Sequence, residues 1–156
     1  MEPAQRGQTP KTKKRLKAKI EKVRLIDFKK IEKSIRFSFD WNTELNNTVY
    51  SIRLENSPRI LGLISIVDLG DSIKINLIES SKENIGSSKK YERIAGCLLS
   101  FACKISFEKN YDGTVSLESK SKIKKHYIEK YFFLDCGSFL YTDGVNSENL
   151  IKDYLY

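Results

Sequence analysis

The sequence predicts one α/β (α+β) domain built on a mixed, largely antiparallel sheet flanked by helices. Three strand-like runs, Thr48–Leu54, Ile60–Asp68 and Ser72–Glu79, are separated only by short turn-forming connections, which is typical of an antiparallel meander. A long apolar stripe then predicts a helix, and a further strand follows it. Because a strand–helix–strand crossover joins parallel neighbours, we expect the sheet to be locally parallel there.

The composition of the 156 residues, 40% hydrophobic and 31% charged, is that of a globular protein. The longest apolar run, Ile60–Val67, is far shorter than the ~20 residues that cross a bilayer. No apolar segment follows the basic N-terminal residues, so we expect neither a membrane contact nor a secretory signal. The three cysteines, Cys97, Cys103 and Cys136, have no metal-binding spacing and favour a reducing cytoplasmic location without metal or disulfides.

The net positive charge belongs to the N-terminal fifth of the chain. Residues 1–33 contain 12 Lys or Arg and 4 Asp or Glu, which accounts for the whole formal charge of +8. Residues 1–17 have two prolines and few large apolar side chains, so they are predicted to be a mobile basic arm, with the domain spanning residues 18–156. Such an arm is a solubilising tail, a partner-docking segment or, through residues 1–33, a weak and salt-dependent contact with nucleic acid.

The first elements of the domain precede the meander. A strand is predicted from Ala18, with Asp27 as the cap of a brief helix after it. In the third meander strand, alternation places Ile73, Ile75, Leu77 and Glu79 on one face. Glu79 therefore ends an apolar row, which is an unusual position for a carboxylate.

The strongest helix signal follows a polar loop, Ser80–Tyr91. Its apolar stripe consists of Ile94, Leu98, Phe101 and Ile105. The remaining predicted elements are a strand over Thr114–Glu118, a helix over Ser121–Tyr131, a closing strand pair over Phe132–Leu134 and Ser138–Tyr141, and a final helix capped by Ser147.

A loop that enters a helix directly after a sheet strand is a natural anion site, because the first helical amides lack intrahelical partners and the helix dipole adds positive charge. Lys89, Lys90 and Arg93 add side-chain charge there, although the two lysines are also compatible with a solvated pair. We interpret the loop as a phosphate or pyrophosphate cradle. Neither the Walker pattern nor the glycine-rich dinucleotide pattern occurs in the chain.

The segment KKYERIAGCLLSFACKISFEKNYDGTVSLES, with FSFDW and ILGLISIVDL before it, resembles the GNAT superfamily of acyl-CoA N-acyltransferases, in a bacterial GNAT-like subgroup. The resemblance implies a splayed central strand pair that admits the pantetheine arm of acetyl-CoA. It also implies that Lys90, Arg93 and Ala95 stand at the first, fourth and sixth positions of the pyrophosphate-binding signature. Arg93 replaces a glycine there, and would either clash with the pyrophosphate or turn outward and pair with it. The implied acetyl-CoA-binding residues are Leu77, Ile78, Lys89, Lys90, Arg93, Ile94, Ala95 and Gly96.

The resemblance further implies direct attack of a primary amine on the thioester. The ending HYIEKYFF makes Tyr127 the candidate acid that protonates the leaving thiolate, and Glu79 is the candidate base. The alternatives are a solvent-facing strand-end carboxylate for Glu79 and a packing aromatic for Tyr127. His126 is expected on the solvated helix face.

A non-catalytic CoA-binding or regulatory module of the same fold is the second interpretation, and a nucleic-acid-associated protein acting through the basic arm is the third. The partners implied by the first are acetyl-CoA and an amine acceptor. A homodimer is compatible with it, and neither the acceptor nor the oligomeric state is encoded in a recognisable motif.

Overall fold

The computed structural model describes residues 17–85, 93–118 and 121–155. The elements are, in chain order, β1 (Ala18–Lys22), α1 (Leu25–Lys33), a 3-10 turn (Trp41–Glu44, called the tryptophan turn below), β2 (Thr48–Leu54), β3 (Ile60–Asp68), β4 (Ile73–Ser80), a second 3-10 turn (Lys82–Asn84), α2 (Ile94–Glu108), β5 (Val115–Leu117), α3 (Ser121–Tyr131), β6 (Leu134–Asp135), β7 (Leu140–Thr142) and α4 (Gly144–Tyr154).

The described strands form one mixed sheet in the order β1-β2-β3-β4-β5-β7-β6. All neighbouring strands are antiparallel except β4 and β5, which are parallel and are joined through α2. The predicted α/β architecture, with an antiparallel meander and one parallel crossover, is therefore confirmed.

Two hydrophobic cores lie on opposite faces of this sheet. The main core joins the sheet to α2 and α4, and Leu98, Leu99 and Leu140 are fully buried in it. The second core lies under α1 and the tryptophan turn, where Phe28 and Trp41 are buried. The sheet is thus covered on both faces, as expected for a layered α/β domain.

Two predicted helix caps are wrong. Helix α1 begins at Leu25 with Arg24 as its N-cap, and Asp27 lies inside the first turn, paired with Arg24 at 3.2 Å. Helix α4 begins at Gly144, and Ser147 is fully buried within it, where its hydroxyl donates to the Gly113 carbonyl at 2.6 Å. A hydroxyl that serves a contact between elements gives the same sequence signal as a hydroxyl that caps a helix.

A β-bulge divides β4 in two. In the pairing with β3, Ile75 faces Ile66 and Leu77 faces Ser65, so Asn76 is an extra residue. The bulge reverses the side-chain alternation, which leaves Ile75 in the main core but places Leu77 against the second core. The prediction that Glu79 shares a face with Ile73 and Ile75 is therefore wrong.

Candidate active site

The parallel pair β4 and β5 separates after three residues. Its described pairing runs from Ile73 opposite Val115 to Ile75 opposite Leu117, whereas β4 continues to Ser80 in pairing with β3. Among the described residues no strand pairs with the other edge of Leu77–Ser80. This separation agrees with the splayed pair that the resemblance implies.

A cleft of about 680 Å³ opens at this unpaired edge. The end of β4 forms one wall, the start of α2 forms another, and α3 forms a third. The lining residues are Ser38, Phe39, Ile78, Glu79, Ser80, Asn84, Ile85, Arg93, Ile94, Ala95, Ile123, His126, Tyr127, Lys130 and Tyr131. The cleft therefore brings together both candidate catalytic residues and four of the predicted cofactor contacts.

The amino end of α2 enters the cleft through Arg93, Ile94 and Ala95. An α-helix leaves its first amides without intrahelical partners, and its dipole favours an anion there. Arg93 is the N-cap and has the left-handed conformation, with φ of 72°, which a glycine adopts without strain. The backbone of this position is thus the one that a glycine would provide.

The Arg93 side chain lies against the end of α4. Its guanidinium lies 4.1 Å from the ring centroid of Tyr154 and donates to the carbonyl of Asp153, at the end of α4. Arg93 Nε is buried and has no hydrogen-bond partner in the described part of the chain. The side chain thus anchors α2 to α4, and its predicted relation to the pyrophosphate stays a prediction.

Glu79 is buried and lines the cleft, and it also fixes the loop that precedes the tryptophan turn. One carboxylate oxygen accepts from the Phe39 amide at 3.2 Å and from Trp41 Nε1 at 2.9 Å. The other accepts from the Ser38 amide at 2.5 Å. A carboxylate offers about four acceptor sites, so three donors leave room for one more partner. The expectation that this side chain escapes to solvent is wrong.

The same loop is tied to the chain after β4 by an ion pair. Arg36 pairs with Glu83, and its carbonyl accepts from the Lys82 amide at 2.9 Å. Burial would raise the pKa of Glu83, but the hydrogen bonds to its carboxylate, of which the one from Arg36 is the strongest, together with the charge of Arg36 outweigh burial and lower that pKa to about 2. The cleft wall is therefore held at Glu79 and again, four residues later, at Glu83.

Tyr127 and Tyr131 lie one helical turn apart on α3 and both face the cleft, with ring centroids 5.9 Å apart. Burial raises the pKa of both phenols above the ordinary tyrosine value. Both phenols therefore stay protonated at neutral pH and can donate a proton. Tyr127 is half-buried, whereas Tyr131 is only 2% exposed.

The other predicted site residues do not all lie at the cleft. Leu77 and Gly96 do not line the cleft; Leu77 packs against the second core, and Gly96 is covered by the Tyr154 ring. Lys89 and Lys90 lie outside the described residues. His126 is exposed, as expected, but it also lines the cleft.

Sequence reasoning missed Ser38, Phe39 and Tyr131. Tyr131 had a usable signal, because its spacing of four from Tyr127 puts both phenols on one helix face. Nothing in the sequence pattern connects Ser38 and Phe39 with a strand 40 residues later.

A second groove, of about 630 Å³, lies on the sheet beside the bulge. Lys74, Ser116 and Tyr141, which are neighbours across three strands, line it together with Asp71 and Glu118. Lys74 pairs with Glu118 at 3.4 Å. On β4 the groove lining therefore ends at Lys74, two residues before Asn76, and the groove contains charges of both signs.

Within the described ranges, no group of three or more histidine, cysteine or acidic side chains is arranged to hold a metal ion. In the same part of the chain, none of the helices combines the length and apolarity that a membrane span requires.

No protein-family model and no curated protein matches this sequence. Solved structures do match. The spermidine/spermine N-acetyltransferase SpeG from Vibrio cholerae is 14% identical with a TM-score of 0.61, over 87% of this chain and 96% of that one. A GNAT family acetyltransferase from Elizabethkingia anophelis, with acetyl-CoA bound, is 13% identical with a TM-score of 0.56, over 81% and 97%. Nourseothricin acetyltransferase is 12% identical with a TM-score of 0.58, over 80% and 95%.

These similarities extend over almost the whole of each matched structure. At such low identity they show the fold, and the predicted resemblance to the GNAT superfamily is confirmed at that level.

Proposed function

We propose that this chain is an N-acetyltransferase that transfers the acetyl group of acetyl-CoA to a primary amine. The observation that carries the proposal is the cleft at the edge of β4 that is left unpaired where β5 separates from it, with the amino end of α2 and the tyrosines of α3 on its other walls. The similarity to acetyltransferases, one of them with acetyl-CoA bound, supports it.

The cleft fits acetyl-CoA chemically. The amide end of α2 suits the pyrophosphate, with Ile94 and Ala95 lining the cleft there. The unpaired edge of Leu77–Ser80 offers backbone groups to the amides of the pantetheine arm. Arg93 supports the α2 end through its contacts with Tyr154 and Asp153. Lys89 and Lys90 remain proposed phosphate contacts.

Catalysis would proceed by attack of the neutral amine nitrogen on the thioester carbonyl carbon, with loss of CoA as a thiolate. Tyr127 would give its phenolic proton to that thiolate, which its protonated state at neutral pH allows. Glu79 would receive the amine proton, directly or through one water, on its remaining acceptor site. The bond made is C–N, the bond broken is C–S, and no covalent intermediate with the protein is required.

The amine would approach along the groove beside the bulge. That groove reaches Leu117, where the pairing of β4 and β5 ends, and it offers a cationic substrate the carboxylate of Asp71, while Glu118 is already paired with Lys74. The substrate class proposed here is therefore a primary amine carrying positive charge.

A CoA-binding module without turnover is the second candidate, because three structural donors already occupy Glu79. Two measurements separate the candidates. Isothermal titration calorimetry tests acetyl-CoA binding, and release of free CoA thiol in the presence of a panel of amines tests turnover.

We expect acetyl-CoA to bind and thiol release to require an amine. Tyr127→Phe should slow thiol release by ~10²–10⁴-fold, which is the usual contribution of a general acid, with little change in acetyl-CoA affinity. Tyr131→Phe is the matched control, because its phenol is more deeply buried, and it should slow release far less. Binding without thiol release for any amine would favour the non-catalytic module, and absence of binding at millimolar acetyl-CoA would exclude both.

A further inference from the structure

Glu44, at the end of the tryptophan turn, is a buried carboxylate that lies outside both the cleft lining and the groove lining. Its side chain is 5% exposed and accepts hydrogen bonds from four others. These are Ser65 Oγ at 2.6 Å, Asn76 Nδ2 at 2.8 Å, Asn47 Nδ2 at 3.1 Å and Thr43 Oγ1 at 3.1 Å, the last sharing its one proton with the Asp40 carbonyl at 2.8 Å. A charge this deeply buried is costly unless it is fully hydrogen-bonded, and this one is.

Two of these donors are the residues that form the bulge. The register of β3 and β4 shifts directly after Ser65, and Asn76 is the extra residue on the opposite strand. Glu44 thus binds both strands at the point where their pairing is interrupted. Asn76 bridges both carboxylate oxygens, at 2.8 and 3.1 Å.

The tryptophan turn contacts β4 a second time, beyond the bulge. Trp41, at the start of the turn, donates to Glu79 at 2.9 Å. The same turn therefore holds β4 at Asn76, before the cleft-lining residues, and at Glu79, which is one of them. A bulge bends its strand and increases the local twist, and β4 loses its pairing with β5 at this point.

The electrostatics of Glu44 agree with this arrangement. Burial alone would raise its pKa, but the hydrogen bonds from Ser65, Asn76, Asn47 and Thr43 outweigh burial and lower it. The carboxylate is therefore ionised at neutral pH and accepts all four bonds.

We propose that Glu44 is a positioning residue, which fixes the bulge at Asn76 and thereby sets where β4 separates from β5 and the cleft opens along its unpaired edge. The part of this inference that concerns acetyl-CoA rests on the proposed function. The part that concerns the bulge does not.

The test exchanges the carboxylate of Glu44 and the amide of Asn76 across their hydrogen bond. Asn76→Asp places a second carboxylate against Glu44, and Glu44→Gln weakens the acceptor. The double variant Glu44→Gln/Asn76→Asp restores an N–H to carboxylate contact with its direction reversed. Ile31→Ala is the matched control, because Ile31 is buried in the same second core but lies on α1 and its apolar side chain has no part in the hydrogen bonds of Glu44.

Two readouts are measured on the full chain at a temperature where each variant is folded. Trp41, the single tryptophan, reports the contact through its fluorescence emission, and hydrogen exchange of the Leu77–Ser80 amides reports the strand wall. Acetyl-CoA affinity from calorimetry reports the cleft.

Asn76→Asp should shift the Trp41 emission, speed exchange at Leu77–Ser80 and weaken acetyl-CoA binding about tenfold, within the usual range of coupling between contacting residues. The double variant should recover all three properties to within about threefold of the original chain. Ile31→Ala should lower the thermal midpoint without changing affinity.

The proposal is overturned if Asn76→Asp leaves exchange at Leu77–Ser80 unchanged, or if the two substitutions simply add in the double variant. If the unaltered chain binds no acetyl-CoA, the proposed function fails, while exchange and emission still decide the role of Glu44.

Discussion

Arg93 is a non-glycine residue with a left-handed backbone conformation. It adopts φ of 72° at the N-cap of α2, a region that costs an ordinary residue about 1–2 kcal/mol. The contacts of its guanidinium with Asp153 and Tyr154 compensate for this strain. The chain thus keeps a glycine-like backbone at the cleft with a side chain that also secures the final helix.

Replacing Arg93 separates these two effects. Arg93→Gly and Arg93→Ala both lose the contacts with α4, but only alanine keeps the backbone strain. We expect Arg93→Ala to be less stable than Arg93→Gly by about 1 kcal/mol in urea unfolding at neutral pH. Equal stability of the two variants would show that α2 does not require the left-handed conformation at its start.

Glu79 has two roles in this account, one observed and one proposed. Its hydrogen bonds fix Ser38, Phe39 and Trp41, and it is proposed to accept the amine proton. Glu79→Gln cannot accept a proton, so thiol release should fall by at least ~100-fold at saturating substrates. Its acetyl-CoA affinity should change much less than its rate.

The thermal midpoint and the Trp41 emission measured alongside separate these roles. A Glu79→Gln variant that loses stability but keeps its rate of thiol release would reduce Glu79 to an anchor of the loop. The Arg93→Gly variant provides the control for a stability loss near the cleft without loss of a carboxylate.

At the scale of elements, the cleft depends on how β4 is held on its two sides. The bulge at Asn76 ends the pairing with β5, while the loop before the tryptophan turn braces the far end of the strand through Glu79 and Glu83. Short contacts of this kind fix a strand edge that would otherwise be an exposed pairing surface.

The ion pair between Glu83 and Arg36 predicts that the free energy of unfolding depends on pH. The pKa of Glu83 falls from 4.5 to about 2 on folding, so the carboxylate stabilises the fold fully above pH 4.5, and this contribution is lost as the pH falls towards 2. Glu83→Gln should therefore lower the free energy of unfolding by about 1–2 kcal/mol at pH 7, after allowance for solvent screening, and by much less near pH 2.

Urea unfolding of both proteins across this pH range provides the measurement. Glu129→Gln is the control, because Glu129 forms an exposed pair with Lys125 at 3.8 Å and should contribute little at any pH. A Glu83→Gln difference that is constant from pH 7 to pH 2 would contradict the assigned pKa.

At the scale of the whole molecule, the sequence predicted the layers better than the connections between them. Thr48–Leu54 and Ile60–Asp68 have the predicted bounds because their apolar patterns and flanking turns are local properties of the chain. The apolar stripe from Ile94 predicted α2 for the same reason, since helix periodicity is local as well.

The site was predicted less completely, because its geometry comes from contacts between distant segments. The bulge at Asn76 depends on Glu44, 32 residues earlier, and no local pattern indicates it. The sheet face predicted for Glu79 was wrong for this reason. Tyr127, by contrast, was implied by the resemblance through the local segment HYIEKYFF, and it lines the cleft.

The central claim is that acetyl-CoA binds between the separated strands β4 and β5. Hydrogen exchange of the full chain with and without acetyl-CoA, read by mass spectrometry, tests it most directly. The account predicts slower exchange in two segments, Leu77–Ser80 and Ile94–Cys97, with no comparable change in β1 and β2. Unchanged exchange in both segments at saturating acetyl-CoA, or protection confined to another part of the chain, would contradict it.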